Sequence, residues 1–129
     1  MQKADQKRYE RRVLDLLYYD LLESAKIKPS SVSKNFDRVD FESSFSLHNI
    51  RKPYVKWAVV EGEEGVNYLV RGEAPKTFSL NNSTNYYLDV LGKNVDLFKI
   101  TYAKEFVEIY LKFESQKPLH LKLYVGEKD

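Results

Sequence analysis

The sequence predicts an α+β domain in which a long N-terminal helix packs on an antiparallel β-sheet. Three observations predict it. Residues from about 5 to 27 carry apolar side chains at helical spacing. The stretch from about 36 to 126 instead alternates apolar and polar residues with period two, most clearly in VEIYLKFESQKPLHLKLYV, residues 107–125. A sheet with one apolar face needs a cover, and only the first segment is long enough to provide it.

The helix is read from Leu14, Leu17, Tyr18, Leu21, Leu22 and Ala25, widened by Tyr9, Val13 and Leu16. On a wheel the apolar arc exceeds half the circumference, which predicts deep embedding. Arg8, Arg12, Asp15, Tyr19 and Glu23 form the remaining flank, and Pro29 is the stop signal. Lys3, Lys7, Arg8, Arg11 and Arg12 crowd the helix start, where each exposed cation opposes the dipole by about 0.3–1 kcal/mol. Either solvation tolerates a frayed end or the helix continues upstream.

KIKPSSVSKN, residues 26–35, reads as a flexible connection. RVDFESSFSL then places Val39, Phe41, Phe45 and Leu47 on one side of a strand. YVKWAVV, residues 54–60, and VNYLVRG flank an EGEEG turn as a hairpin. KTFSL is a short candidate strand, and NNSTN, residues 81–85, is a polar loop. YYLDVLG after it reads equally as a strand or as a helical turn capped by Ser83 or Thr84.

From Val95 onward the pattern is a three-strand meander. The matched apolar rows set Phe113 opposite Leu119, Leu111 opposite Leu121 and Ile109 opposite Leu123. Glu108 then faces Tyr124, and Tyr110 faces Lys122. A four-residue loop from Ala103 to Phe106 sets Ile100 opposite Ile109.

The length of 129 residues fits one domain spanning 1–129, large enough for a core of its own. Net charge is +2, far from the basic excess of a dedicated nucleic-acid binder. With no cysteine, disulfides and thiolate chemistry are excluded. Abundant Lys and Glu beside few Asn and Gln is a composition found in thermophile proteins. No run is apolar enough to span a membrane, and charged residues follow Met1 too closely for a signal peptide.

His48 and His120 have neither metal-ligand spacing nor a sequence-visible catalytic partner, so both read as surface residues. Glu61, Glu63 and Glu64 occupy a hairpin tip without the converging D-x-D-x-D pattern of a calcium loop. No phosphate-binding glycine motif occurs. The expectation is therefore no catalytic residues, no cofactor and no metal. Lys112 and Lys122 with Tyr110 and Tyr124 are the pattern of a stacking surface for nucleic acid, although Glu108 interrupts it.

Several stretches carry a family resemblance. YERRVLDLLYYDLLESA, residues 9–25, resembles the amphipathic lower helix of J-type minor pseudopilins of type II secretion systems, whose L-L-x-x-D-L pattern matches Leu16, Leu17, Asp20 and Leu21. FESSFSLHN resembles their first strand. YVKWAVVEGEEGVNYLVRGE resembles a hairpin ending in L-x-R, matched by Leu69 and Arg71. LGKNVDLFKITY with VEIYLKF and LHLKLYV resembles the closing meander.

The resemblance to these proteins and to type IV minor pilins implies a pilin-like fold and a structural role without enzymatic activity. It implies a periplasmic domain anchored by an upstream membrane helix that this chain does not contain, and other minor pilins as partners. Arg8, Arg12, Asp15 and Tyr19 are the candidate partner contacts. The alternative function is a nucleic-acid-binding β-rich domain, either a competence pilin or an unrelated viral or archaeal module.

Overall fold

A computed structural model describes residues 3–80 and 85–125, with side chains in the first helix described from Arg11 onward. The helix α1, Lys3–Leu22, is followed by eight strands. These are β1 Ala25–Ser31, β2 Asp37–Glu42, β3 Tyr54–Glu61, β4 Asn67–Ala74, β5 Tyr87–Lys93, β6 Val95–Ala103, β7 Phe106–Phe113 and β8 Leu119–Tyr124. A 3-10 turn, Glu63–Gly65, joins β3 to β4. Strands 1 to 5 form one antiparallel sheet in chain order, and strands 6 to 8 form a second.

This corrects the expected fold class. The chain is not a long helix covering one sheet, as in the pilin-like arrangement, but a predominantly antiparallel β structure, with two sheets and a single α-helix among the described residues. The shared core is built mainly by strands: Val39, Phe41, Val55, Trp57 and Leu69 from one sheet, and Phe98, Ile100, Val107, Ile109 and Leu111 from the other. Among the described side chains of α1, only Val13, Leu17 and Leu21 are buried apolar members. Tyr18, Tyr19 and Leu22 are exposed, so the buried stripe is much narrower than the sequence wheel predicts.

The helix also ends earlier than expected, at Leu22 and not near Ile27. Ser24 closes it, its hydroxyl donating to the Leu21 carbonyl at 2.8 Å. Lys26 takes a left-handed backbone (φ 56°), and Pro29 biases Lys28 to extended geometry. The expected flexible connection is therefore largely strand β1. As an edge strand it tolerates the missing Pro29 N–H.

β2 stops at Glu42, so Phe45 and Leu47 leave the expected strand for a loop. KTFSL forms no strand. Its Phe78 lies over β4, where Gly72 leaves room: a Cβ there would meet the Phe78 ring at 2.7 Å. YYLDVLG resolves as strand β5. Asn81 to Thr84 of the polar loop, including the candidate caps, lie outside the described residues.

The terminal meander forms as expected, with Ile100 opposite Ile109. Its first turn is tighter than predicted: Lys104 adopts φ 56°, so Ala103 and Phe106 already pair. The second hairpin is shifted two residues, pairing Leu111 with Leu119, Ile109 with Leu121 and Val107 with Leu123. Glu108 faces Lys122 and Tyr110 faces His120, in place of the expected pairs. Phe113 is engaged by Val95, and a turn holding Ser115 at φ 62° lengthens the connection. A two-residue shift keeps every side chain on its face, which is why the apolar row survives the error.

The sheets are stitched together where β2 meets β6. The Asp37 carboxylate accepts from Lys99 at 2.9 Å and from the Ile100 N–H at 2.9 Å. Phe98 N–H donates to the Asn35 carbonyl at 2.9 Å, beside a parallel bridge from Phe36.

Candidate interaction surface

In β4 the inward positions run Leu69, Arg71, Glu73, opposite Val59, Trp57 and Val55 of β3. Two charged side chains thus point where strand alternation reserves space for apolar ones. On α1, Asp20 falls within the apolar stripe, next to Leu21 and one turn from Leu17. All three charged residues are fully buried, at 0% exposure.

They satisfy one another. Arg71 grips Asp20 bidentately, Nε to Oδ2 at 2.8 Å and Nη2 to Oδ1 at 2.7 Å, and donates Nη1 to Glu73 Oε1 at 2.5 Å. Trp57 Nε1 adds a 2.6 Å bond to Asp20 Oδ2. Glu73 also accepts from the Ser46 hydroxyl, the Leu47 N–H at 2.9 Å and the His48 N–H at 3.2 Å. Such bonding is what makes buried charge tolerable.

Two carboxylates share one guanidinium, so their proton affinities separate. Burial pushes the Asp20 carboxyl above its ordinary value of 3.8, outweighing Arg71 and Trp57. Burial acts the same way on Glu73, but the Ser46 hydroxyl, Arg71 and the Leu47 amide together hold it below 4.5. Arg71 is held above its usual value, with Asp20 and Glu73 overcoming its desolvation. Glu73 is therefore the more readily ionised of the two carboxylates.

The sign for stability follows. Asp20 contributes most below 3.8, and that contribution is lost as pH rises through its elevated folded value. Asp20→Asn lacks this loss. Its stability deficit against the parent, measured by urea unfolding, is therefore expected to shrink as pH rises from about 4. A deficit that widens over that range means that Arg71 depresses Asp20 instead.

The cluster fixes what lies above it. Ser43 donates its hydroxyl to the Asp20 carbonyl at 2.9 Å, and Ser46 accepts from the Ile50 N–H at 2.9 Å. The loop from Ser43 to Pro53 is thereby clamped to both α1 and β4. It brings Phe45 onto Tyr19, ring centroids 5.7 Å apart, with Tyr18 edge-on to Tyr19 at 5.7 Å. Further along, His48 stacks on Tyr87 at 4.2 Å and bonds Asp89 at 2.6 Å. Tyr18, Tyr19, Leu22 and Leu47 remain exposed, Tyr19 most of them at 54%.

Of the sequence-predicted contacts, Arg12, Asp15 and Tyr19 share an exposed flank of α1. The Arg8 side chain lies outside the described residues. His48, expected to be a plain surface residue, belongs to a ring stack with Tyr87 and a hydrogen bond with Asp89. His120 stacks on Tyr110 at 4.4 Å and bonds Glu108 at 2.8 Å. The Glu61, Glu63 and Glu64 tip is exposed, and no metal-ligating cluster occurs among the described residues. Sequence reasoning missed Glu73 and the meeting of Asp20 with Arg71. The available signal was an acid inside an apolar helix arc and an R-x-E pair at inward strand positions, neither buried at tolerable cost without the other.

The chain matches no known family, no curated protein and no solved structure.

Proposed function

We propose that the chain is a structural, non-enzymatic subunit of a pilus or pseudopilus assembly, binding neighbouring minor pilins through the exposed flank of α1. The observation that carries this reading is Tyr19, a large aromatic held outward on a helix that the buried Asp20–Arg71 clamp fixes in place. Rigid exposed aromatics beside opposite charges are the usual anchors of protein interfaces. Arg12 and Asp15 supply the charges that select among partners. Further support comes from the two polar residues in the family-like stretches, Asp20 and Arg71, which lie 51 positions apart and form the clamp. In this reading a helix upstream anchors the domain on the periplasmic side of the inner membrane. No helix among the described residues is long and apolar enough to cross one.

The test is co-purification with minor pilins encoded beside it. Tyr19→Ala is expected to weaken capture at least tenfold and Arg12→Glu severalfold, while thermal melting is unchanged for exposed Arg12 and falls for Tyr19 only by the loss of its ring contacts with Phe45 and Tyr18. Undiminished capture by both variants removes the helix flank as the contact.

A second reading, nucleic-acid binding, is favoured by the outer face of the meander. There Phe106, Tyr110, His120 and Tyr124 stand with Lys122, whose ammonium lies 5.1 Å from the Phe106 ring centre. The face's other lysines are already paired, Lys99 with Asp37 and Lys112 with Asp96, so little positive field remains for phosphate. Salt-sensitive binding of single-stranded DNA that Tyr110→Ala abolishes is the result that establishes it in place of the first.

A further inference from the structure

Among the described residues four strand edges end the two sheets, and three of them carry devices against further pairing. β1 has Pro29, a bulge between Ala25 and Lys28, and exposed Lys26 and Lys28. β6 is engaged by Asn35 and Phe36. β8 presents exposed His120 and Lys122.

β5 differs. Its exposed side chains include Tyr87 (52%), Leu88 (47%) and Val90 (60%), and it has no proline. Of its two charges, Asp89 is turned to His48, and Lys93 lies beyond a bulge at Leu91. The regular run Tyr87–Val90 faces β4 on one side and no described strand on the other. An apolar edge of this kind is a template for another strand.

We propose that β5 pairs with β5 of a second copy of this chain, antiparallel about Leu88, forming one continuous ten-stranded sheet (five strands from each copy). The choice of a second copy rests on self-complementarity. Directly opposed residues share a face. A two-fold axis at Leu88 sets Leu88 on the partner's Leu88 and Tyr86 on the partner's Val90. These join the apolar patches of the two outer faces. On the inner face Tyr87 meets the partner's Asp89, a hydroxyl beside a carboxylate. An axis at Asp89 would oppose two like charges, and one nearer Gly92 would run into the bulge. This dimer is independent of the helix-flank reading, and its measurement needs no other protein.

The chain has no cysteine, so one introduced thiol reports the register cleanly. Under mild oxidation Leu88→Cys is expected to convert to a disulfide-linked dimer. Val90→Cys is expected to stay unlinked, because the two copies of position 90 lie four positions apart in this register, about 13 Å along the strands. Light scattering of the parent chain is expected to give twice the 15.2 kDa chain mass. Val90→Lys is expected to weaken the dimer at least tenfold with its melting profile as a monomer intact, since Val90 is exposed. A parent chain that stays at single mass up to millimolar concentration overturns the proposal, as does equal cross-linking at 88 and 90.

Discussion

Arg71→Met is expected to destabilise the protein by about 3–5 kcal/mol, a large share of the roughly 5–15 kcal/mol that holds a domain together. Methionine fills most of the vacated volume, so the loss is not mainly one of packing. It comes from Asp20 and Glu73, both fully buried, which lose their only shared cation. Asp20 then keeps one donor, Trp57 Nε1, and Glu73 keeps the Ser46, Leu47 and His48 donors. The sign of the coupling separates this account from simple loss of contacts. Asp20→Asn added to Arg71→Met removes one of the two unpaired charges, so it should recover stability. Urea unfolding followed by the fluorescence of Trp57, the single tryptophan, measures both variants. Additive losses in the double variant would show that the charges never opposed each other.

The same cluster explains where sequence reasoning reached and where it stopped. Strand existence was legible wherever alternation ran long, as in β3, β4 and the β6–β7–β8 meander. The β6–β7 register, with Ile100 opposite Ile109, was legible as well. The β7–β8 slip of two residues was not, because alternation repeats every two residues and cannot choose among shifts of that size.

Fold class failed for a different reason. A period-two pattern marks each strand as one-sided, but it does not say whether the opposing layer is a helix or a second sheet. Assigning the helix as the whole cover followed from its wide apolar arc. That arc counted Tyr18 and Leu22, which the structure leaves exposed, and did not count Asp20, which it buries. The candidate surface was half legible. Arg12, Asp15 and Tyr19 were chosen by their place on the wheel and share one exposed flank. The loop that gives Tyr19 its neighbour, Phe45, was read as a strand, since Phe41, Phe45 and Leu47 keep strand parity. The serines that bend the chain away act through long-range bonds to Asp20 and Glu73, which no local pattern encodes.

Trp57→Ala is expected to cost about 3–5 kcal/mol, the range for deleting a fully buried large aromatic. Trp57 sits at the centre of β3, paired with Val39 on one side and Arg71 on the other. Its ring lies in the core, and its one polar atom is spent on Asp20. Two separable terms follow. Trp57→Phe keeps most of the apolar volume and removes the Nε1 donor, so its cost should fall to about 1–3 kcal/mol, the size of one charge-assisted hydrogen bond plus a small void. If the donor matters because Asp20 is ionised, the Phe variant should approach the parent in stability as the pH falls and Asp20 takes up a proton. The Ala variant should keep its cavity penalty at every pH. Thermal melting followed by far-ultraviolet circular dichroism reads all three proteins without the tryptophan signal. A Phe deficit that does not change with pH would mean that Asp20 does not titrate over that range, and that the Trp57 donor contributes equally to both of its forms.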